Sequence, residues 1–278
     1  MPVHDELGKR MKAFYEQIPK TKLMRRVPVA IRIDGKAFHT FTRGFQKPFD
    51  EILVKSMQET MKYLCENIQG CVFGYTQSDE ITLILIDYQK LNSEAWFNYE
   101  VQKCTSVAAS MATMAFNKAF SKNVCKFSEL IYNYDYKSTK EERLYCGTLC
   151  RAMEKGAMFD ARIFNIPKEE VTNLIYWRQL DATRNSIQMV GQANFSHNEL
   201  DGKTNNMVQD MLHEQKGINW NDYPTHLKRG SCCIKVVSSE PDGANIVSRS
   251  EWIIDKEIPI FKGEGREYID GLVFVGEE

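Results

Sequence analysis

The chain has 278 residues, 43% hydrophobic and 26% charged, with a formal net charge of −1. That balance suits a globular protein with a sizeable core and argues against a broad nucleic-acid-coating surface, though not against local basic patches. No apolar stretch approaches the roughly 20 residues of a membrane helix, and the start, Met1 to Glu6, has no apolar signal core, so a cytoplasmic protein with no membrane partner is expected.

Leu7, Met11, Phe14 and Tyr15 recur at helical spacing, which predicts a helix over Asp5–Gln17 packing on a sheet. Lys9, Arg10, Lys12, Lys20, Lys22, Arg25 and Arg26 make this segment basic. An apolar β-like run, Val27–Ile33, ends on Asp34-Gly35. In the loop Lys36–Pro48, Lys36, Arg43 and Lys47 are placed to meet phosphates. Phe38 and Phe41 either flank a base or pack beneath the loop. Asp50 can cap a following helix whose apolar face is Ile52, Met57, Met61 and Leu64. A second strand, Cys71–Thr76, a polar break, Gln77-Ser78-Asp79-Glu80, and a third strand, Ile81–Ile86, read as a hairpin.

A long helical pattern covers Ser93–Phe120 and carries Lys103. Asn133–Cys146, with Asp135, Lys137, Lys140, Glu141 and Glu142, reads as an exposed excursion. Phe159–Ile166 is the fourth strand and completes a βαββαβ unit. Pro167 starts a helix on which Arg178, Asp181 and Asn185 share a face, either a salt-bridged contact with another helix or subunit or an RNA contact. A further helix over Lys203–Gln215 and a turn-rich link, Gly217–Pro224, follow. Lys228-Arg229 forms a basic cluster before a strand at Ser231–Val237, and Glu251–Asp255 and Ile258–Phe261 read as short extended segments over the core. The eight cysteines give no repeated zinc-ligand spacing and read as free or buried thiols.

The strand order gives two acids their meaning. A right-handed crossover leaves the first two strands parallel, and the hairpin returns the third between them. Asp34 and Asp79 then meet at one edge of the sheet. Two close carboxylates repel unless a cation neutralises them. Magnesium suits such a site because it takes oxygen ligands and uses substrate phosphates as further ligands. The alternative makes Asp34 a helix cap and Asp79-Glu80 an ordinary polar turn.

Several stretches together resemble the tRNA-histidine guanylyltransferase family. They are Arg32–Phe41, Lys47–Asp50, Gln77–Glu80, Phe159–Arg162, Trp177–Asp181 and Lys228–Gly230, in the family's order over most of the chain to Val237. The resemblance implies an α+β, polymerase-palm fold with a ferredoxin-like βαββαβ sheet, helices on one face, and helical and β additions. It implies a catalytic palm core at 1–130, the remainder of the palm with a helical tRNA or oligomer-contact region at 131–237, and a C-terminal extension at 238–278. It also implies 3′-to-5′ nucleotide addition to the 5′ end of tRNA. Two magnesium ions would be held by Asp34, Asp79 and the Gly35 carbonyl, with Glu80 in the same catalytic motif. Lys36, Ala37, Phe38, His39, Lys47 and Asp50 would line the nucleotide pocket, and Ser78 and Lys103 would touch phosphates. Arg178, Asp181, Asn185, Lys228 and Arg229 are the candidate RNA contacts. ATP and GTP are the implied substrates, and a homotetramer sharing one tRNA across subunits is the implied assembly.

Departures from the family pattern direct the reading. After Trp177–Asp181 the eukaryotic members carry a longer motif of which only Asn185 remains within Thr183–Met189, and Glu100 stands where they have an arginine. The sequence looks more like the bacterial and archaeal guanylyltransferase-like branch, whose members repair 5′-truncated tRNA by template-directed addition. The alternatives are another palm-type enzyme, such as a nucleotide cyclase, and a tRNA-binding protein without chemistry.

Overall fold

The computed structural model describes residues 5–133, 136–242 and 245–276. Asp135 of the polar excursion and the opening residues Met1–His4 lie outside them. In chain order the elements are α1 (Glu6–Met11, continued by a wider helical turn over Lys12–Glu16), β1 (Val29–Gly35), α2 (Phe38–Phe41), α3 (Glu51–Asn67), β2 (Cys71–Gln77) and β3 (Glu80–Leu85). Next come α4 (Val101–Ile131), α5 (Lys140–Lys155), β4 (Phe159–Asn165), α6 (Lys168–Asn194), α7 (His197–Leu200) and α8 (Asn205–Lys216). The chain ends with α9 (Thr225–Arg229), β5 (Ser231–Asp242), β6 (Asn245–Asp255) and α10 (Glu267–Val273).

One six-stranded sheet has the order β4-β1-β3-β2-β5-β6. β1 and β2 are both antiparallel to β3, which lies between them, so they run parallel to each other. The expected βαββαβ unit is therefore the four-stranded part, and β5 and β6 extend it past β2. The domain boundary expected at 237 falls inside β5.

The alternation of strand side chains builds two layers. Ile31, Ile33, Ile81 and Leu83 point to one face, where Met57, Met61 and Leu64 of α3 and Ala108, Ala112 and Phe116 of α4 cover them. The small residues of α4 allow its close approach. On the other face, Ala30, Phe73 and Ile84 meet Val171 and Ile175 of α6 and Ile269 and Val273 of α10. Helices thus cover one face, as expected, while α6 and α10 add a partial cover to the other. A third cluster joins the end of α6 to α8 through Ile187, Val190, Val208 and Leu212.

Three expectations are corrected. Residues 5–17 are helical, but their apolar side chains do not pack on the sheet: Phe14 is 62% exposed and none of α1 is buried. The excursion at Asn133–Cys146 becomes α5 from Lys140, started by a capping box between Thr139 and Glu142 and seated on the core by Cys146 and Leu149. The tail is more than extended strands: Ile258 and Phe261 enter the core and α10 closes it.

Candidate active site

β1 ends at Asp34-Gly35 and the β2–β3 hairpin turns at Ser78-Asp79, and the backbone joins these ends. Gly35 donates its N–H to the Asp79 carbonyl at 3.1 Å. In register, Asp34 lies opposite Glu80 on one side and Asp160 on the other. Ala37 and Ser78 both have φ of +54°, the left-handed region that side chains rarely adopt. Such backbone is held by its surroundings and concentrates at functional sites. Gly35 has its own reason to be glycine: a Cβ there would sit 2.2 Å from the Phe38 ring.

The charges are unequal. Burial first, then repulsion from Asp34 and Glu80, pushes Asp79 up to about 6, against the hydrogen bond from Ser78 Oγ at 3.1 Å. Asp34 is also raised, chiefly by burial and then by Glu80 and Asp160. Glu80 differs. Its Oε1 accepts from Arg32 at 2.9 Å and its Oε2 lies 2.6 Å from Arg178. Glu80 is neutralised by two guanidinium groups, whereas among the described residues Asp34 and Asp79 form no salt bridge. The two raised acids fit a hard divalent cation, which favours ionised oxygens and completes its shell with water and phosphate. Among the described residues no cluster of three or more His, Cys, Asp or Glu side chains could hold a metal by itself.

A cleft of about 510 Å³ opens beside this edge. Its walls include Gly35, Ala37, His39, Lys47, Ser78 and Asp79. Lys36 is exposed on the loop above. Phe38 borders the cleft but is buried among Phe41, Phe116 and Phe159, with ring centroids 5.1–5.6 Å apart. Of the two roles open to it, the structure shows packing under the loop. Asp50 is also buried and internally engaged: it accepts from Leu53 N at 2.9 Å, Gln46 N at 3.1 Å and the Tyr145 hydroxyl at 2.5 Å. It caps α3 and ties the loop down while lining the cleft.

Other predicted residues fall elsewhere. Lys103 sits in the first turn of α4, over the Phe97 ring at 4.7 Å. Thr113, which bonds Phe159 beside Gly35, lies ten residues further along the helix. At 1.5 Å per residue that separation is about 15 Å, and Lys103 is not among the residues lining this cleft. Arg178 is 8% exposed and bound to Glu80 and Asp181. Lys228 is 6% exposed, donates to the Asn221 carbonyl at 2.5 Å, and its pKa is lowered by burial. Both are interior props instead of a surface for RNA. Asp181 gathers Arg178, Arg184 and Asn185 on α6, and Arg229 stacks its guanidinium over Trp220 at 5.7 Å. Met189 and Gln192 of α6 also line the cleft and were missed. They follow Asn185 at four and seven residues, so the helical face could have been extended to them.

The sequence profile of tRNA-His guanylyltransferase matches residues 8–167, more than half of the chain. The chain belongs to the tRNA-His guanylyltransferase family. It is a nucleotidyltransferase of that family, whose members carry out 5′ guanylyl addition to tRNA as 3′-to-5′ polymerases. A solved bacterial tRNA(His) guanylyltransferase-like protein in complex with ATP is 40% identical, with a TM-score of 0.77 over 97% of this chain and 100% of that one. A second structure, a bacterial protein of the same description in complex with GTP, is 39% identical, with a TM-score of 0.74 over 98% and 100%. An uncharacterized protein of Acanthamoeba polyphaga mimivirus is 29% identical over 90% of this chain and 84% of its own length. The tRNA(His) guanylyltransferase of Saccharomyces cerevisiae is 25% identical over 73% and 80%. The higher identity to the bacterial guanylyltransferase-like proteins agrees with the departures at Thr183–Met189. Among the described residues no helix is long and apolar enough to cross a membrane.

Proposed function

We propose that this chain repairs tRNA by adding nucleotides to a truncated 5′ end in the 3′-to-5′ direction, with the opposing strand as template. The observation that carries this is the backbone bond that joins Gly35, next to Asp34, to Asp79, with Gly35 and Asp79 both in the wall of a nucleotide-sized cleft. Among the described residues neither carboxylate forms a salt bridge, and Asp79 is raised to about 6, chiefly by burial and further by Asp34 and Glu80. Two magnesium ions held by Asp34, Asp79 and the Gly35 carbonyl would, when bound, lower the pKa of the attacking hydroxyl and neutralise the leaving phosphate.

The residues divide the remaining work. An oxygen of the RNA 5′-monophosphate attacks the α-phosphorus of ATP or GTP, and pyrophosphate leaves. The 3′-hydroxyl of the incoming nucleoside triphosphate then attacks the activated 5′-phosphorus, and AMP or GMP leaves. Lys36 and Lys47 attract the triphosphate, Ser78 steadies Asp79, and His39 stands at the cleft wall. Asp50 holds the loop that presents Lys47. Glu80, fixed by Arg32 and Arg178, aligns the ends of β1 and β3. Guanylylation of tRNA-His is the secondary activity of the same site. The assembly is a homotetramer in the cytoplasm. The exposed apolar residues of α1, Leu7 and Met11, with Phe14 beyond them, support a subunit contact.

The test uses a tRNA lacking its first nucleotide, labelled at the 5′ end, with magnesium and each nucleoside triphosphate in turn. Extension by the nucleotide complementary to the opposing base is expected. Extension indifferent to that base, or none with any triphosphate, would contradict the proposal.

A further inference from the structure

The helix residue beside Arg178 points the other way. Trp177 is 48% exposed, although the neighbouring arginine is buried. Two guanidinium groups lie near its ring: that of Arg178 at 4.6 Å from the centroid and that of Arg32 at 5.5 Å. Those two arginines are the pair that grips Glu80, and Glu80 lies opposite Asp34 in the sheet. A large, rigid, half-open aromatic plane therefore stands behind the two arginines that hold Glu80, the residue opposite Asp34 in the sheet.

Its rim is cationic. Arg162 lies opposite Arg32 in register and is 59% exposed, paired only loosely with Asp160 at 3.6 Å. Arg184, two turns along α6, is 60% exposed and bonded to Asp181 at 2.8 Å. Ion pairs this exposed contribute little and exchange readily for phosphate. A stacking plane flanked by displaceable arginines matches the terminus of a nucleic acid: a base supplies the π-face and the backbone supplies the anions. A second copy of this chain fits less well, because the rim is charged instead of apolar.

We infer that Trp177 is the platform on which the terminal base of the RNA end stacks, bringing its 5′-phosphorus to Asp34 and Asp79. This rests on the functional reading above and deepens it by naming what positions the acceptor. The residue is a positioning residue, because it touches the terminal base and not the reacting phosphorus.

The experiment uses a short RNA hairpin with a 5′-monophosphate, a templating 3′ overhang, and 2-aminopurine at the 5′-terminal position. Trp96 and Trp220 are buried and Trp252 is partly buried, so RNA-dependent tryptophan quenching reads mainly Trp177. Trp177→Ala is expected to raise the KM for the hairpin roughly five- to a hundred-fold, the loss of one base–aromatic stack. It should also remove the mutual quenching of tryptophan and terminal 2-aminopurine. Trp177→Phe should restore most of the affinity, and ATP binding without RNA should stay at the wild-type value in both. An unchanged KM in Trp177→Ala, while the wild-type protein extends the hairpin, would overturn this inference alone. So would a Trp177 emission already shielded from acrylamide and unmoved by RNA, the mark of a subunit contact. Failure of the wild-type protein to extend the hairpin would overturn the functional reading, and this inference with it.

Discussion

Arg178 Nη2 lies 2.6 Å from Glu80 Oε2 while Arg32 Nη2 holds the other oxygen of the same carboxylate at 2.9 Å. Two adjacent acids at the hairpin, Asp79 and Glu80, thus have opposite surroundings. One is boxed in by guanidinium groups and the other is left to its own repulsion. The difference separates two roles that the sequence could not, since both acids belong to one motif.

The first prediction follows from that contrast. Glu80→Gln keeps a shape that Arg32 and Arg178 can still hydrogen-bond, so its effect on activity should be well below that of losing Asp34 or Asp79. Arg178→Ala should be worse for the fold, because it strands part of Glu80 and opens a gap beside Tyr75. A loss of about 2–3 kcal/mol is expected, below the range for a fully buried pair because Glu80 retains some solvent. Urea unfolding of both variants, with extension rates on the same preparations, checks this.

A second prediction concerns pH. Asp79 sits at about 6 in the fold against an ordinary value of 3.8, with burial as the main cause. The raised pKa means that the folded protein without metal holds this proton more tightly than the unfolded chain. The resulting stabilisation is full below pH 3.8 and is lost as pH rises through 6. Asp79→Asn should therefore stabilise the metal-free protein at pH 7.5 by on the order of 1–2 kcal/mol after allowing for solvent screening, and raise its melting temperature accordingly. Magnesium should do the same for the wild-type protein but not for the variant, and its apparent affinity should fall below pH 6 as the carboxylate protonates. Calorimetric scans between pH 5 and 8, with and without magnesium, read all of this.

A third prediction isolates the loop from the chemistry. The Tyr145 hydroxyl meets Asp50 at 2.5 Å from α5, and burial with this bond raises the tyrosine's pKa. Tyr145 does not line the cleft, yet it holds the acid that anchors Gln46 and caps α3. Tyr145→Phe should cost about 1 kcal/mol of stability, one hydrogen bond. It should raise the KM for nucleotide while leaving kcat near the wild-type value. A fall in kcat with an unchanged KM would place Tyr145 in the chemical step instead.

The fourth prediction tests the packing under Gly35. A Cβ there would enter the Phe38 ring, which Phe116 and Phe159 hold in place, so it cannot swing aside. Gly35→Ala should destabilise the protein by about 1–3 kcal/mol, as overpacking does. It should weaken ATP binding as well, because the same shift moves the cleft wall. Chemical denaturation and ATP titration of the variant give both numbers.

Much of this layout could be read in the residues before any coordinates. Alternating apolar runs and the Asp34 and Asp79 spacing gave the palm order, because strand pairing and crossover handedness leave few choices. What failed had a common cause. Periodicity shows that a helix has an apolar face, not what covers it, so Leu7, Phe14 and Tyr15 were expected on the sheet and lie exposed. Charge suggests a surface, so Arg178 and Lys228 were read as RNA contacts, although Glu80, Asp181 and the Asn221 carbonyl draw them inward. Lys103 was placed by family likeness, which carries motif order but not the 15 Å or so of helix rise between it and the site. Trp177, named in the sequence only as the start of a family motif, drew a proposed role once its neighbours were fixed in space.

The central claim is that Asp34 and Asp79 together hold the cations of phosphoryl transfer, and one measurement tests it most directly. The initial rate of magnesium-dependent extension of a 5′-truncated tRNA should be compared between the wild-type protein and Asp79→Ala, with tRNA binding followed in parallel. A drop of at least about a hundredfold with tRNA affinity retained is predicted. Extension by Asp79→Ala at the wild-type rate would contradict the account.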